Sequence, residues 1–257
     1  MISQAKLLNL DDNATIAYHR LPGRSPGVIF LGGFMSDMTG TKAMALETWC
    51  RSQERAYIRF DYQGHGSSSG RFEEGTIGRW MGDALAVLDR VSSGPQILVG
   101  SSMGGWIMLL LALARPERIA GLVGVACAAD FIDALWRDLD ESTRKRLQTE
   151  GVIYQPSDYE DETPYPITLN LIQEARQHCL LDREKLPIGC PVRLLHGLRD
   201  PDVPWRTSVK VAERLLSDDV KVVLVKDGEH RMSRASDLKL LTDLLDEVCA
   251  TAMTGQD

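Results

Sequence analysis

A serine with glycines two residues away on either side is the first feature of this sequence that could do chemistry. The segment Gly100–Gly104 (GSSMG) follows a short apolar run, Ile97–Val99, and opens a longer one. A sharp turn between a strand and a helix exposes a serine hydroxyl for attack, and side chains two residues away would collide there. Ser102 has glycine at both of those positions and Ser101 at neither. The spacing therefore predicts Ser102 as a nucleophile.

A serine hydroxyl is too weakly acidic to attack unaided and needs a histidine as general base. In one known arrangement the nucleophile, the acid and the histidine follow in that order along the chain. The sequence offers His19, His65, His178, His196 and His230. Only His230 lies in a loop after the last strand-like run, and it is our predicted base. We interpret His196 as a hydrogen-bonded packing residue at a strand end and His65 as part of a loop.

The acid that orients this base is expected in the turn after the penultimate strand-like run. That turn is His196–Pro204, with the sequence HGLRDPDVP. Asp200 is the predicted acid because it stands nearest the strand end, where ligands bind in open parallel sheets. Asp202 remains the alternative, and either aspartate could instead only form the turn beside proline. The carboxylate would fix the imidazole tautomer and stabilise the imidazolium.

Two backbone N–H groups are expected to stabilise the oxyanion of a tetrahedral intermediate. One is that of Met103, directly after the nucleophile. The other is that of Phe34, in the loop after the first core strand, where Gly32 and Gly33 let the backbone approach closely. No metal or organic cofactor is needed for this chemistry.

Strand-like and helix-like segments alternate along the chain, which predicts an α/β protein with a mostly parallel sheet covered on both faces. The expected core strands are Val28–Leu31, Tyr57–Phe60, Ile97–Val99, Ile119–Val125, Val192–Leu195 and Val222–Val225. The expected helices are Thr76–Val91, Gly104–Ala114, Thr207–Leu216 and Ala235–Thr251, and an N-terminal hairpin pairs Lys6–Leu10 with Ala14–His19 through the turn at residues 11–13.

One stretch breaks this alternation, from about residue 130 to residue 187. No strand pattern is convincing there, the composition turns charged, and a loop with proline and tyrosine runs from Tyr154 to Pro166. An insertion between two strands at their carboxyl ends would cover the site as a small helical cap. The alternative is an ordinary long crossover. We expect residues 1–257 to form a single domain with this cap.

Composition excludes several classes of protein. The net charge of −7, without any basic run, disfavours a nucleic-acid or anionic-membrane partner. The five cysteines are widely spaced among apolar neighbours without a C-x-x-C pair, which is typical of reduced thiols and not of a zinc site. The longest apolar run, Trp106 to Ala114, is too short for a membrane span. With no leader pattern at the N-terminus, we expect a cytoplasmic location.

The chain resembles the α/β-hydrolases, and within them the acyl-protein thioesterase and acyl-glucuronide esterase subgroup, whose animal member is mitochondrial. The matching stretches are Thr39–Ala43, Ile58–Tyr62, Gly94–Trp106, Arg193–Gly197, Val203–Trp205 and His230–Met232. They span almost the whole chain, and the long middle stretch is specific. The pair Gly32-Gly33 stands where many relatives carry His-Gly, and no mitochondrial leader precedes the domain, which favours a bacterial or cytosolic relative.

This resemblance implies the α/β-hydrolase fold and a serine hydrolase. Its nucleophile, acid and base fall on Ser102, Asp200 and His230. The expected reaction is hydrolysis of a carboxylic ester or thioester through an acyl-enzyme, and the expected substrate is a small acyl ester or thioester or an S-acylated protein. Two alternatives stay open: C–C or amide hydrolysis on the same scaffold, and a ligand-binding protein that keeps the pocket without useful turnover.

Overall fold

The computed structural model describes residues 5–11, 13–155 and 164–254, with the backbone alone at 253 and 254. Its ten strands are β1 (Lys6–Asn9), β2 (Thr15–Leu21), β3 (Arg24–Leu31), β4 (Arg55–Phe60), β5 (Gln96–Ser101), β6 (Ile119–Val125), β7 (Val152–Gln155), β8 (Tyr165–Thr168), β9 (Val192–Gly197) and β10 (Val220–Val225). Its eight α-helices are α1 (Thr41–Ser52), α2 (Ile77–Arg90), α3 (Met103–Ala114), α4 (Phe131–Asp138), α5 (Glu141–Glu150), α6 (Leu169–Ala175), α7 (Arg206–Arg214) and α8 (Ala235–Thr254). Asp12 of the expected hairpin turn and residues 156–163 of the expected loop lie outside the described residues.

The central sheet has eight strands in the order β1-β2-β4-β3-β5-β6-β9-β10. The pairs β1–β2 and β2–β4 are antiparallel, and the remaining five pairs are parallel. The six core strands and the N-terminal hairpin expected from the sequence are all present, with ends shifted by a few residues. Parallel pairing brings the carboxyl ends of β3, β5, β6, β9 and β10 to one edge, where the site lies.

Side chains that alternate along each core strand build two separate apolar layers, one on each face of the sheet. In β3, Ile29 and Leu31 pack in the layer that contains α2 and α3, whereas Val28 and Phe30 pack in the layer that contains α1 and α8. A strand buried on both faces needs apolar residues at consecutive positions, which is why it shows as a continuous run in the sequence. Helices therefore cover both faces, as expected.

The insertion between β6 and β9 differs from its sequence-based description. Besides the three helices α4, α5 and α6 it holds a short antiparallel pair, β7 with β8, although the sequence shows no convincing strand pattern there. Each strand has only four residues and β8 contains Pro166, which hid the period-two pattern. The two ends of the insertion are tied together, because the Asp130 carboxylate accepts the backbone N–H groups of Leu180 and Leu181.

Candidate active site

The turn from β5 into α3 places Ser102 at the carboxyl edge of the sheet. Its backbone has φ 54° and ψ −119°, a strained conformation for a residue with a side chain. The flanking glycines make the turn possible: a Cβ at Gly100 would collide with the Gly104 carbonyl, and one at Gly104 with the carbonyl of Leu31. Ser102 is thus held with its hydroxyl in the cavity above the sheet.

The three side chains predicted to act together form one hydrogen-bonded line. His230 Nε2 lies 3.0 Å from Ser102 Oγ, and His230 Nδ1 lies 2.8 Å from Asp200 Oδ2. They come from three different loops, after β5, β9 and β10, and Ser102 is 128 residues from His230. In this geometry Nδ1–H donates to the carboxylate and leaves Nε2 free to accept the serine proton. The line has the order required for nucleophilic catalysis.

The side chain of Asp200 is only 1% exposed, and both of its oxygens face donors. Oδ1 accepts the backbone N–H groups of Asp202 and Val203 at 2.9 and 2.8 Å, while Oδ2 faces His230 and also His196 Nε2 at 3.0 Å. Burial alone would raise the pKa of Asp200, but the hydrogen bonds from His196 and His230 outweigh it and hold the pKa well below its usual range. The carboxylate is therefore ionised in the folded protein.

Asp202, the alternative acid, takes a different position. Its Oδ2 lies 4.0 Å from His230 Nδ1 and its side chain is 33% exposed, at the wall of the cavity. Asp200, Asp202 and His230 have ligand atoms within 4.8 Å of one another, close enough to hold a metal ion. However, His230 Nδ1 already donates to Asp200, and a protonated ring nitrogen does not bind a metal. The shorter contact of His230 is therefore the one with Asp200, the predicted acid, and not the one with Asp202.

The two predicted oxyanion donors lie beside Ser102. Met103 is the first residue of α3, and the loop after β3 brings Gly33 so close that a Cβ there would lie 3.4 Å from the Cβ of Ser102. Phe34 follows Gly33 directly. In the described part of the chain neither the Phe34 nor the Met103 backbone N–H donates to a protein acceptor. Both amides are thus available to an oxygen bound next to Ser102.

Two buried charged residues hold the loop that carries Phe34, and the sequence reasoning missed both. Asp61 Oδ1 accepts the backbone N–H of Met38 at 2.6 Å, and Arg59 Nη1 donates to the carbonyl of the same residue at 2.9 Å. Burial raises the pKa of Asp61, although backbone N–H groups of Ser67 and Met38 oppose it. The sequence signal that could have revealed them is the presence of two charged residues, Arg59 and Asp61, at the end of an apolar strand.

A cavity of about 770 Å³ opens above Ser102 and His230. One wall is apolar and comes mainly from the insertion: Ala128, Phe131, Leu135, Tyr165 and Ile167. The Phe34 ring joins this wall, with its centroid 5.8 Å from that of Phe131 and 6.1 Å from that of Tyr165. Many of the other lining residues are polar and include Lys42, whose pKa burial and the nearby Arg231 charge lower to about 8.

Two of the other histidines, His65 and His178, have partners away from the serine. His65 is buried, its Nδ1 lies 3.2 Å from the Gln63 carbonyl oxygen, and burial lowers its pKa to about 4. His178 Nε2 pairs with Glu174 Oε1 at 2.6 Å in the insertion. These positions agree with the loop interpretation of His65.

Comparison with known proteins identifies the family. The family model described as serine aminopeptidase, S33, matches residues 28–150. The chain is 48% identical over 241 residues to the palmitoyl-protein thioesterase ABHD10, mitochondrial, of Bos taurus, which covers 94% of this chain and 78% of the relative. The chain belongs to the ABHD10 family of α/β-hydrolases.

Solved structures agree with this ABHD10 assignment. Mouse alpha/beta hydrolase domain-containing protein 10 superposes with a TM-score of 0.91 at 46% identity, over 96% of this chain and 99% of that one. A putative hydrolase from Agrobacterium vitis S4 gives a TM-score of 0.88 at 39% identity, over 95% and 97% of the two chains. The expected α/β-hydrolase fold is confirmed, as is the expectation of a serine hydrolase for ester or thioester bonds.

The expectation of a cytoplasmic location is wrong, because ABHD10 relatives such as that of Bos taurus are mitochondrial proteins by name. Reduced cysteines and an acidic net charge do not distinguish one reducing compartment from another, so composition does not identify the location of the protein. Within the described residues every helix is too short or too polar to cross a bilayer.

Proposed function

We propose that this protein hydrolyses long-chain acyl thioesters, including those on S-acylated proteins, through an acyl-enzyme formed on Ser102. Asp200 and His230 complete the catalytic triad, and the backbone N–H groups of Phe34 and Met103 form the oxyanion hole. The observation that carries the proposal is the hydrogen-bonded line from Asp200 through His230 to Ser102. The name of the Bos taurus relative supports the substrate class.

The geometry supports the following sequence of steps. Ser102 Oγ attacks the thioester carbonyl carbon while His230 Nε2 takes the hydroxyl proton. The negative oxygen of the tetrahedral intermediate accepts the N–H groups of Phe34 and Met103. When the C–S bond breaks, His230 gives its proton to the leaving sulfur. Water then attacks the acyl-enzyme with His230 as base, and the carboxylic acid leaves with Ser102 restored.

The apolar wall of the cavity supports an acyl chain as the bound group. A volume of about 770 Å³ lies within the ordinary size range of ligand pockets. Each methylene group that moves from water to such a wall contributes about 0.8 kcal/mol, which corresponds to roughly fourfold in kcat/KM. We therefore expect kcat/KM to rise steeply with acyl length until the apolar wall is covered.

The insertion at about residues 130–187 is proposed as a cap on a single domain of 1–257. Phe131 and Tyr165 of the insertion contact Phe34 of the core loop, and Trp106 Nε1 donates to the His178 carbonyl at 3.1 Å. These contacts support the proposal that the insertion forms the apolar wall of the cavity beside Ser102. On this proposal the cap contributes to substrate binding as well as packing on the sheet.

Turnover of a graded acyl series tests the proposal. The probes are S-acyl peptides and matching p-nitrophenyl esters from two to sixteen carbons, with Ser102→Ala as the inactive reference. We expect thioester turnover that increases with chain length. Wild-type rates equal to those of Ser102→Ala on every probe would contradict the hydrolase, and activity on amides alone would favour the alternative chemistry.

A bulky substitution in the apolar wall of the cavity gives a second test. Leu135 lines the cavity, so Leu135→Trp should reduce kcat/KM for long acyl chains by at least about tenfold and spare acetyl substrates. Leu216 is 55% exposed and outside the cavity lining, which makes Leu216→Trp the matched control. Equal losses for long and short substrates in Leu135→Trp would show that the acyl chain binds elsewhere.

A further inference from the structure

A second histidine, His196, bonds the same carboxylate oxygen as His230. Its Nε2 lies 3.0 Å from Asp200 Oδ2 and 3.0 Å from the carbonyl oxygen of Val203. The side chain of His196 is 0% exposed and that of Asp200 is 1% exposed. Water therefore does not compete for this bond, which acts in a setting where hydrogen bonds to a charge are strong.

The neighbours of His196 determine which ring nitrogen donates. Both partners of Nε2 are acceptors, so Nε2 carries a proton. On the other side of the ring, Nδ1 lies 2.7 Å from the hydroxyl of Ser208, a fully buried residue of α7. A serine hydroxyl can donate to the bare ring nitrogen, and this contact selects the tautomer that presents Nε2–H to Asp200.

We infer that His196, with Ser208 fixing its tautomer, is a positioning residue that holds Asp200 in the rotamer facing His230. This inference rests on the proposed function of Asp200 and His230. Without His196, Oδ2 keeps one of its two side-chain donors, and the carboxylate is anchored mainly through Oδ1 to the backbone. His230 would then meet an acceptor whose position and charge are less well defined.

The consequence is a change in kcat and not in KM. His196 is absent from the cavity lining, so its replacement leaves the substrate contacts in place. A perturbed Asp200–His230 contact weakens proton transfer in the transition state alone, which lowers kcat while KM stays the same. One hydrogen bond to a charged group is of the size that changes a rate about tenfold.

Four variants measure this effect. His196→Leu should lower kcat about tenfold and change KM by less than about twofold, and His196→Gln should recover most of the rate because its amide N–H can still donate to Asp200. Ser208→Ala should lower kcat by about threefold, since His196 Nδ1 then loses its buried hydrogen-bond partner and the ring is held less firmly against Asp200. Leu194→Ala is the matched control, because Leu194 is fully buried in the same strand and makes no hydrogen bond through its side chain.

The readouts are kcat, KM, the melting temperature and the rate at which a fluorophosphonate labels Ser102. We expect slow labelling in His196→Leu, faster labelling in His196→Gln, and wild-type labelling in a destabilised Leu194→Ala. Wild-type kcat and labelling in folded His196→Leu would overturn the inference, as would equal losses in the Leu and Gln variants. If His196→Leu does not fold, unchanged kcat in Ser208→Ala overturns it. A wild-type protein that is not labelled at Ser102 would refute the proposed function itself.

Discussion

Asparagine in place of Asp200 removes the charge from a carboxylate that has four donors around it. Oδ2 accepts N–H groups from His230 and His196, and Oδ1 accepts the backbone N–H groups of Asp202 and Val203. An asparagine NH₂ group therefore faces donors whichever way its amide is turned. The variant keeps the shape of the residue and loses both the charge and the pattern of acceptors, so its effect reports on the charged hydrogen bonds to the two histidines.

The expected loss of kcat in Asp200→Asn follows from the number of donors around the carboxylate. If the NH₂ group replaces Oδ2, both imidazole N–H groups lose an ionised acceptor, at about 1.5–3 kcal/mol each. The sum, about 3–6 kcal/mol, corresponds to a loss of roughly 10²- to 10⁴-fold in kcat. If the amide turns the other way, His230 meets a neutral oxygen and the loss lies at the lower end of this range. KM should change little, because Asp200 is absent from the cavity lining.

The assay is steady-state turnover of a p-nitrophenyl ester, with Asp202→Asn as the matched control. The Asp202 carboxylate lies 4.0 Å from His230 Nδ1 and is partly exposed, so its charge is screened and its loss should change kcat by no more than about threefold. A melting curve for each variant separates lost activity from lost folding. If Asp202→Asn proves the more damaging of the two in folded protein, the acid is Asp202 and the reasoning about Asp200 is refuted.

Two further predictions concern stability. Gly104→Ala should lower the free energy of unfolding by about 1–3 kcal/mol, because its methyl group would collide with the Leu31 carbonyl. Gly82→Ala should raise it by up to about 1 kcal/mol, because Gly82 is exposed on a helix and an added Cβ meets nothing within 4 Å. Denaturant titration measures both values, and equal effects of the two substitutions would contradict the packing described. Burial lowers the pKa of His65 from 6.5 to about 4, so the unfolded chain binds the proton first and stability is lost as pH falls from 6.5 towards 4. This loss amounts to about 3 kcal/mol, and His65→Gln should remove it. If the free energy of unfolding falls with pH by the same amount in both proteins, the lowered pKa of His65 is refuted.

Much of the architecture could be predicted because its signals are local. The strand Ile97–Val99, the glycines around Ser102 and the apolar stripe of α2 each reflect a constraint within about fifteen residues. The choice of Ser102 over Ser101 also followed from local sterics, since only one register places glycine where a Cβ would collide.

What the sequence did not reveal depends on contacts between distant segments or on very short elements. His196 is predicted as a hydrogen-bonded packing residue, and its partner Asp200 is evident only where the turn after β9 folds back on the strand. The support of the oxyanion loop by Asp61 joins residues 23 positions apart. The strands β7 and β8 are too short for alternation to stand out. The cytoplasmic expectation was based on composition and on the first residues of the sequence, and neither identifies the compartment.

A fluorophosphonate probe followed by peptide mass spectrometry tests the nucleophile assignment that underlies the whole mechanism. The strained backbone and the contact with His230 Nε2 belong to Ser102, while Ser101 is a buried strand residue. We expect one adduct per chain, located on Ser102, formed at an unchanged rate in Ser101→Ala and absent in Ser102→Ala. An adduct on Ser101, or a Ser102→Ala protein that still forms the adduct and turns over ester, would contradict the mechanism.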